Sequence, residues 1–273
     1  MTTQYITVNG IQTAYRLYGV RGAEPPLFLM QHFTGTMDNW DPLVIEGLAR
    51  HRQVVVFDNA GVGASHGITP SNVPEMAQHA LSVIEALGLG QVDLLGFSLG
   101  SFLAQEIAAN LPKSVRRMVL VGGCPQGQGA GDFRKVISEI GGKTPGEILL
   151  HLFFTPTANS QQRGKAFLQR LKLRDEAGPN PPSQTFTAQY LAIESWCGQR
   201  DAGYALLKRI KQPVLVVQGS NDTMFPTEQS IRLFQHLPNA QLSLYPDAGH
   251  ASLFQYPSLF VEQVDTFLRK ELA

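Results

Sequence analysis

The stretch Val92-Asp93-Leu94-Leu95-Gly96-Phe97-Ser98-Leu99-Gly100-Ser101 constrains the fold more than any other part of the chain. A strand-type apolar run ends at Gly96, a serine follows two residues later, and a helical pattern opens directly behind it. Gly96-Phe97-Ser98-Leu99-Gly100 fits G-x-S-x-G, the mark of a sharp strand-to-helix turn that holds its serine in a strained conformation. A turn this tight brings strand end and helix start so close that side chains beside the serine would collide. In a chain with 26 glycines the pentapeptide can also arise by chance, so its context decides its weight.

That context is an alternation of strands and helices. Gln4 to Tyr18 alternates around Asn9-Gly10 and predicts an edge hairpin. Leu27-Phe28-Leu29-Met30, Gln53 to Phe57 and Val115 to Val121 are expected as strands buried on both faces, and Pro213 to Val217 and Gln241 to Tyr245 as further strands. Helical spacing is expected over about Asp41–Arg50, Pro74–Leu87, Leu99–Leu111, Pro226–Leu237 and Pro257–Lys270. Parallel strands need crossover connections, so the pattern predicts an α/β fold, a mostly parallel eight-stranded sheet flanked by helices. Between Cys124 and about Tyr204 the alternation stops. Helical patches over Ile148–Phe154, Arg163–Leu173 and Thr185–Cys197, with a Gly-rich loop over Gln126–Gly131, are too long for an ordinary connection and predict an inserted helical cap. The expected division is residues 1–123 with 205–273 as the core and 124–204 as the cap.

Bulk composition removes several function classes. Lys+Arg 22 balance Asp+Glu 22, so no electrostatic case exists for nucleic acid or an anionic membrane. The Met1 region has neither a basic start nor an apolar h-region, and no apolar stretch approaches the roughly 20 residues that span a bilayer. A cytoplasmic protein is expected, and homo-oligomer formation is compatible with the sequence. Cys124 and Cys197 lack metal-type spacing and are expected as free, partly buried thiols. No metal site and no cofactor are expected.

Serine is a poor nucleophile at neutral pH and needs an adjacent base that a third group orients. Asp222 follows the strand Pro213–Val217, and His250 follows the strand ending at Tyr245. Parallel strands carry these loops to one sheet edge, the edge that also carries Ser98. The bland alternatives are a serine tolerated by a tight turn, a surface-loop histidine, and a turn or capping aspartate ahead of Pro226. Asn221 lacks the charge to stabilise an imidazolium, and Asp247 lies too near His250 in sequence to set its ring.

With these residues in place, the chain resembles the α/β-hydrolase superfamily, in the branch of capped esterases, enol-lactonases and cofactor-free haloperoxidases. The resemblance is tight over Leu27–Gly123 and Pro213–His250 and loose in the cap. It implies Ser98 as nucleophile, His250 as general base and acid, and Asp222 as the group fixing the imidazole. An oxyanion hole needs two backbone N–H groups. One is expected at Leu99, where a helix start favours negative charge. The other is expected in the His32-Phe33-Thr34-Gly35 loop, at Phe33 with Thr34 as the alternative, because the family's usual His-Gly-x reads Phe33 where the glycine would be. His32 is expected to brace this loop. Asp58-Asn59-Ala60-Gly61-Val62-Gly63-Ala64-Ser65 resembles the family's Asp-x-Arg-Gly-x-Gly-x-Ser loop with Ala60 in place of arginine, and is expected as a structural turn.

Trp40, Phe153, Phe154, Trp196, Met224 and Phe225 are the expected pocket residues. With no cluster of fixed cations, the expected substrate is a small to medium, mostly apolar, neutral ester or lactone, cleaved through an acyl-serine. Relatives with such a triad also act as perhydrolases reported as haloperoxidases, as carbon–carbon bond hydrolases or as cofactor-free oxygenases. A ligand receptor with a vestigial triad is the reading from a different class.

Overall fold

A computed structural model of the chain describes residues 1–128, 133–172, 178–201 and 203–269. Eight strands form one sheet: β1 (Gln4–Val8), β2 (Ile11–Tyr18), β3 (Leu27–Met30), β4 (Val54–Phe57), β5 (Val92–Phe97), β6 (Val115–Val121), β7 (Val214–Gly219) and β8 (Ala240–Tyr245). Their spatial order is β1-β2-β4-β3-β5-β6-β7-β8. β1 and β2 pair antiparallel around Asn9 and Gly10, both at positive φ as the two-residue hairpin turn requires. β2 also pairs antiparallel with β4, and every other pairing is parallel. The interior strands β3, β4, β5 and β7 are buried at every position, which is why they read as mostly apolar runs, broken only by the buried Asp93 in β5 and Gln218 in β7.

The helices are α1 (Pro42–Leu48), α2 (Val73–Ala86), α3 (Leu99–Asn110), α4 (Phe133–Ser138), α5 (Pro145–Phe153), α6 (Ala158–Leu171), α7 (Ser183–Gly198), α8 (Ala205–Arg209), α9 (Thr227–His236), α10 (Ser252–Gln255) and α11 (Pro257–Arg269). Three of them were not expected. α4, α8 and α10 have six, five and four residues, too few for a 3.6-residue period to show. α5 begins three residues ahead of the expected Ile148, because Thr144 and Glu147 close a capping box with Pro145 at the first turn. Residues 129–131 of the expected Gly-rich loop, Leu173 and Lys270 lie outside the described residues.

No strand is described between β6 and β7; α4 to α8 lie in that interval, the first four of them within residues 124–204. Polar ties fix this helical insertion to the sheet's loops. Arg170 of α6 grips the buried Asp41 carboxylate with Nε and Nη2, at 2.9 Å and 2.5 Å. Gly178 N–H donates to Asp38 Oδ2 at 2.7 Å, and Thr185 Oγ1 donates to Gly61 O at 2.7 Å. Among the described residues no helix is long and apolar enough to cross a membrane.

Strand order positions the site. From β3 the chain passes to β4 on one side and to β5 on the other, so the order reverses between β3 and β5. Open α/β sheets bind ligands at the carboxyl ends of strands flanking such a reversal. The loop after β3 is His32–Gly35, and the turn after β5 carries Ser98.

Candidate active site

Ser98 sits between β5 and α3 at φ 56°, ψ −117°, a region that non-glycine residues rarely occupy. Strain of this kind costs about 1–3 kcal/mol and persists only where the surroundings enforce it. Two glycines provide the space. A Cβ on Gly96 would lie 2.2 Å from Gly100 O, and one on Gly100 would lie 2.1 Å from Met30 O. Ser98 N–H donates to Val121 O at 2.8 Å, and Ser98 O accepts from Ser101 N–H and Ser101 Oγ, at 2.8 Å and 2.6 Å. The elbow's backbone is therefore held from β6 and from α3.

His250 and Asp222 meet on the same rim. Asp222 Oδ2 lies 2.7 Å from His250 Nδ1, and both side chains are buried. The second oxygen, Oδ1, accepts from the N–H groups of Met224 and Phe225 at 2.8 Å and 3.1 Å, which fixes the carboxylate plane. Asp247 does not reach the ring; its carboxylate accepts from Thr155 and Thr157 hydroxyls and from Asn159 Nδ2 of the insertion. Asn221 Oδ1 accepts from Ser220 Oγ. Phe97, Phe153 and Phe225 surround the imidazole at ring-centroid distances of 5.2 to 6.1 Å. Ser98 Oγ and His250 Nε2 are buried, and neither has a hydrogen-bond partner. Both residues border one cavity of about 150 Å³.

The facing loop is more tightly specified than its sequence suggested. Gln31 braces it: Nε2 donates to Thr36 O at 3.1 Å, and Oε1 accepts from His32 N–H at 3.0 Å. Thr34, at φ 57°, donates its N–H to Gln189 Oε1 of α7 at 2.6 Å. Neither Phe33 N–H nor Leu99 N–H donates to a protein group among the described residues. His32 also bonds the loop, through Nδ1 to Phe33 O at 2.8 Å, but its ring borders the cavity. Burial pushes the His32 pKa down to about 4, so the ring is neutral at neutral pH. The Asp58 loop is structural: Asp58 accepts from Met37 and Ala64 N–H groups at 2.7 Å and 2.9 Å, and burial pushes its carboxyl up to about 6.

Of the six expected pocket residues, Phe153 and Met224 border the cavity. Trp40, Phe154, Trp196 and Phe225 do not. Trp40 packs edge-on against Phe254, and Phe154 packs on Phe167. Trp196 stacks on Phe102 at 5.3 Å, and Phe225 lies between Phe102 and Phe133. Large aromatics bury much apolar surface, and these four spend it on packing: Trp196 and Phe225 where insertion meets core, Trp40 within the core and Phe154 within the insertion. Ile140, Ile148, Leu149, Leu152 and Phe186 complete the wall. Recognising the Thr144–Glu147 capping box would have set the phase of α5 and put Ile148, Leu149 and Leu152 on one face. Cys124 and Cys197 are fully buried free thiols, with sulfurs 3.8 Å apart. Burial beside Cys197 raises the Cys124 pKa well above its ordinary value. No group of three or more His, Cys, Asp or Glu that could hold a metal converges among the described residues.

Known proteins place this arrangement in a lineage. The family model described as alpha/beta hydrolase fold matches residues 25–257. An alpha/beta hydrolase fold protein from Chitinophaga pinensis shares 45% identity, with a TM-score of 0.94 and 98% of each chain covered. A 2-hydroxy-6-oxo-2,4-heptadienoate hydrolase from Pseudomonas putida is 28% identical over 97% of this chain and 96% of its own. A pimeloyl-[acyl-carrier protein] methyl ester esterase from Nitrosomonas europaea is 28% identical over 89% of this chain and 96% of its own. The chain therefore belongs to the alpha/beta hydrolase fold family, a family of enzymes to which these hydrolases and this esterase belong.

Proposed function

We propose that the protein hydrolyses a neutral carboxylic ester or lactone through an acyl-serine intermediate. One observation carries this: Ser98 Oγ and His250 Nε2 are two buried, unpartnered reactive atoms on a single cavity, and Asp222 bonds the far side of the imidazole. In the first step Ser98 Oγ attacks the ester carbonyl carbon and His250 Nε2 takes its proton. The carbonyl oxygen, now negative, accepts from the Leu99 and Phe33 N–H groups. Thr34 is set aside as the second donor, because its N–H is already given to Gln189. The tetrahedral centre collapses, the ester C–O bond breaks, and the imidazolium protonates the departing alcohol. Water repeats the sequence on the acyl-serine, releases the acid and returns the proton to Ser98. Asp222 stabilises the imidazolium without taking the proton.

The cavity wall supports a neutral substrate. Its described lining includes no Lys or Arg, and its polar members are His32, Thr34, Ser98 and His250. A carboxylate-bearing substrate would have no fixed cation to meet there, which favours an ester or lactone over an anionic carbon–carbon cleavage substrate. Residues 124–204 act as the cap that supplies the apolar half of this wall. The test is Ser98→Ala against a chromogenic short-chain ester. Turnover is expected to fall by about 10⁴-fold or more, with the thermal midpoint unchanged; wild-type rates in the variant would sink the reading.

A further inference from the structure

A second hollow lies against the first. It encloses about 640 Å³ and is lined on one side by α4, α5 and the turn after α5, and on the other by the loops that follow β7 and β8. At four places neighbouring residues of the chain border different hollows. Glu139 faces the outer cleft and Ile140 the inner cavity; Thr223 faces the outer and Met224 the inner; Gly249 faces the outer and His250 the inner. Phe153 and Phe154 divide in the same way. Leu152 is the residue that borders both hollows.

The two spaces differ in size and chemistry. Ligand sites commonly enclose about 300–1,000 Å³. The inner cavity of about 150 Å³ falls short of that, whereas the outer cleft lies within it. The inner wall is mostly apolar. The outer one carries Lys135, Glu139, His151, Thr155, Asn221 and Asp247. These charges are largely answered locally: His151 Nε2 lies 3.3 Å from Glu139 Oε2, and Asp247 is saturated by Thr155, Thr157 and Asn159. Lys135 is then the one lysine or arginine on a described wall that also carries the carboxylates of Glu139, Asp222 and Asp247, so the cleft has no excess positive charge to hold an anion and suits a neutral hydrogen-bonding group.

We infer that the two hollows are halves of one substrate site, with Leu152 as the partition that sets acyl length and the outer cleft as the subsite for a neutral hydrogen-bonding tail. The inference rests on the ester-hydrolase reading and refines its substrate. The short inner cavity holds the reacting carbonyl and the first carbons of the acyl chain. A longer chain passes Leu152, and a terminal hydroxyl or amide finds polar partners beyond it. Leu152 offers only dispersion contacts to either side, so its size acts as a steric setting and not as a chemical one.

The experiment compares kcat/KM for 4-nitrophenyl acetate, hexanoate and 6-hydroxyhexanoate. Leu152→Ala is expected to raise the hexanoate-to-acetate ratio by about tenfold, the scale on which hydrophobic pockets discriminate chain length, and Leu152→Phe to lower it by a similar factor. The two opposite changes guard against a packing defect, which would lower all three rates together and leave the ratio where it was. The double variant Lys135→Ala/His151→Ala is expected to lower the 6-hydroxyhexanoate-to-hexanoate ratio by about threefold to tenfold, the loss expected of one or two hydrogen bonds. If the wild-type protein cleaves the acetate but the hexanoate-to-acetate ratio is the same in all Leu152 variants, the partition is wrong and the hydrolase reading stands. If it cleaves none of the three esters and Ser98→Ala changes nothing, both fall.

Discussion

The rim wall of the Ser98 cavity and its insertion wall are made by different means. On the rim, backbone geometry does the positioning. Ser98 is held at positive φ, Gly96 and Gly100 leave no room for a Cβ, and the Asp222 carboxylate is pinned by two backbone amides. On the insertion side, Ile140, Ile148, Leu149, Leu152, Phe153 and Phe186 contribute apolar surface and make no hydrogen bond to the reacting groups. The chemistry is thus written in main-chain constraints that tolerate almost no substitution. Under the proposed reaction, substrate preference rests on side-chain volume, which tolerates a good deal. A family can keep the first and vary the second.

The sharpest way to break this contrast is to place a methyl group on the rim. Gly100→Ala puts a Cβ 2.1 Å from Met30 O, a backbone atom of the central strand β3 that cannot swing aside. The expected cost exceeds about 4 kcal/mol, enough to abolish a folded product, and thermal unfolding of any soluble fraction would show it. A variant with near-normal stability would mean that the elbow is looser than its geometry implies.

Next in size is the carboxylate that backs the imidazole. Asp222→Asn keeps an oxygen for the Met224 and Phe225 amides but presents an amide to His250 Nδ1, which favours the wrong tautomer. Loss of about 10⁴-fold in kcat with little change in thermal midpoint is expected. A nearly silent variant would transfer the role to another group.

The rim also carries two buried titratable groups of opposite sign effect. His32 is neutral in the fold down to about pH 4, whereas in the unfolded chain it protonates near the ordinary imidazole value of 6.5. Its contribution is present above pH 6.5 and is lost as pH falls through about 4, worth on the order of 3 kcal/mol at the limit. Asp58 runs the other way. Its pKa, raised from 3.8 to about 6, gives a contribution that is full below 3.8 and lost as pH rises through about 6. Urea midpoints compared at about pH 7 and about pH 4.5 separate them. His32→Gln should narrow the gap between the two midpoints and Asp58→Asn should widen it; the reverse pattern would show that other groups govern acid sensitivity.

The same contrast explains what could be read from the residues alone. Strand runs such as Leu27–Met30, the G-x-S-x-G turn and the loops carrying Asp222 and His250 are local signals, because each is a short segment whose backbone role demands particular residues. The order of contacts across the insertion is not local. Phe154 and Phe153 are neighbours in sequence, yet one packs into α6 and the other borders the cavity. Trp196 was expected in the pocket for its size, but it stacks on Phe102 because α7 docks there. Gln31 and Gln189, the side chains that tie down the loop after β3, carry no motif at all; Gln189 acts across 155 positions of chain.

The smallest effect tests the tolerant side of the contrast. Gly146 lies in the first turn of α5, and a Cβ there would meet only Leu168 Cδ1, at 3.5 Å, an ordinary contact. Its φ is not positive, so alanine adopts the native backbone while reducing the freedom of the unfolded chain. Gly146→Ala should therefore stabilise by about 0.5–1 kcal/mol, raising the thermal midpoint by about 1–4 °C in a chain of this size. Gly164 is the control in the neighbouring helix α6. A Cβ there would lie 2.6 Å from Leu150 Cδ2 and 2.8 Å from Phe154 Cδ2, both side-chain atoms, so Gly164→Ala should cost about 1–3 kcal/mol by overpacking while leaving a folded protein. If Gly146 and Gly164 both proved as intolerant as Gly100, the insertion wall would be as rigid as the rim, and side-chain volume could not be the variable that sets substrate preference.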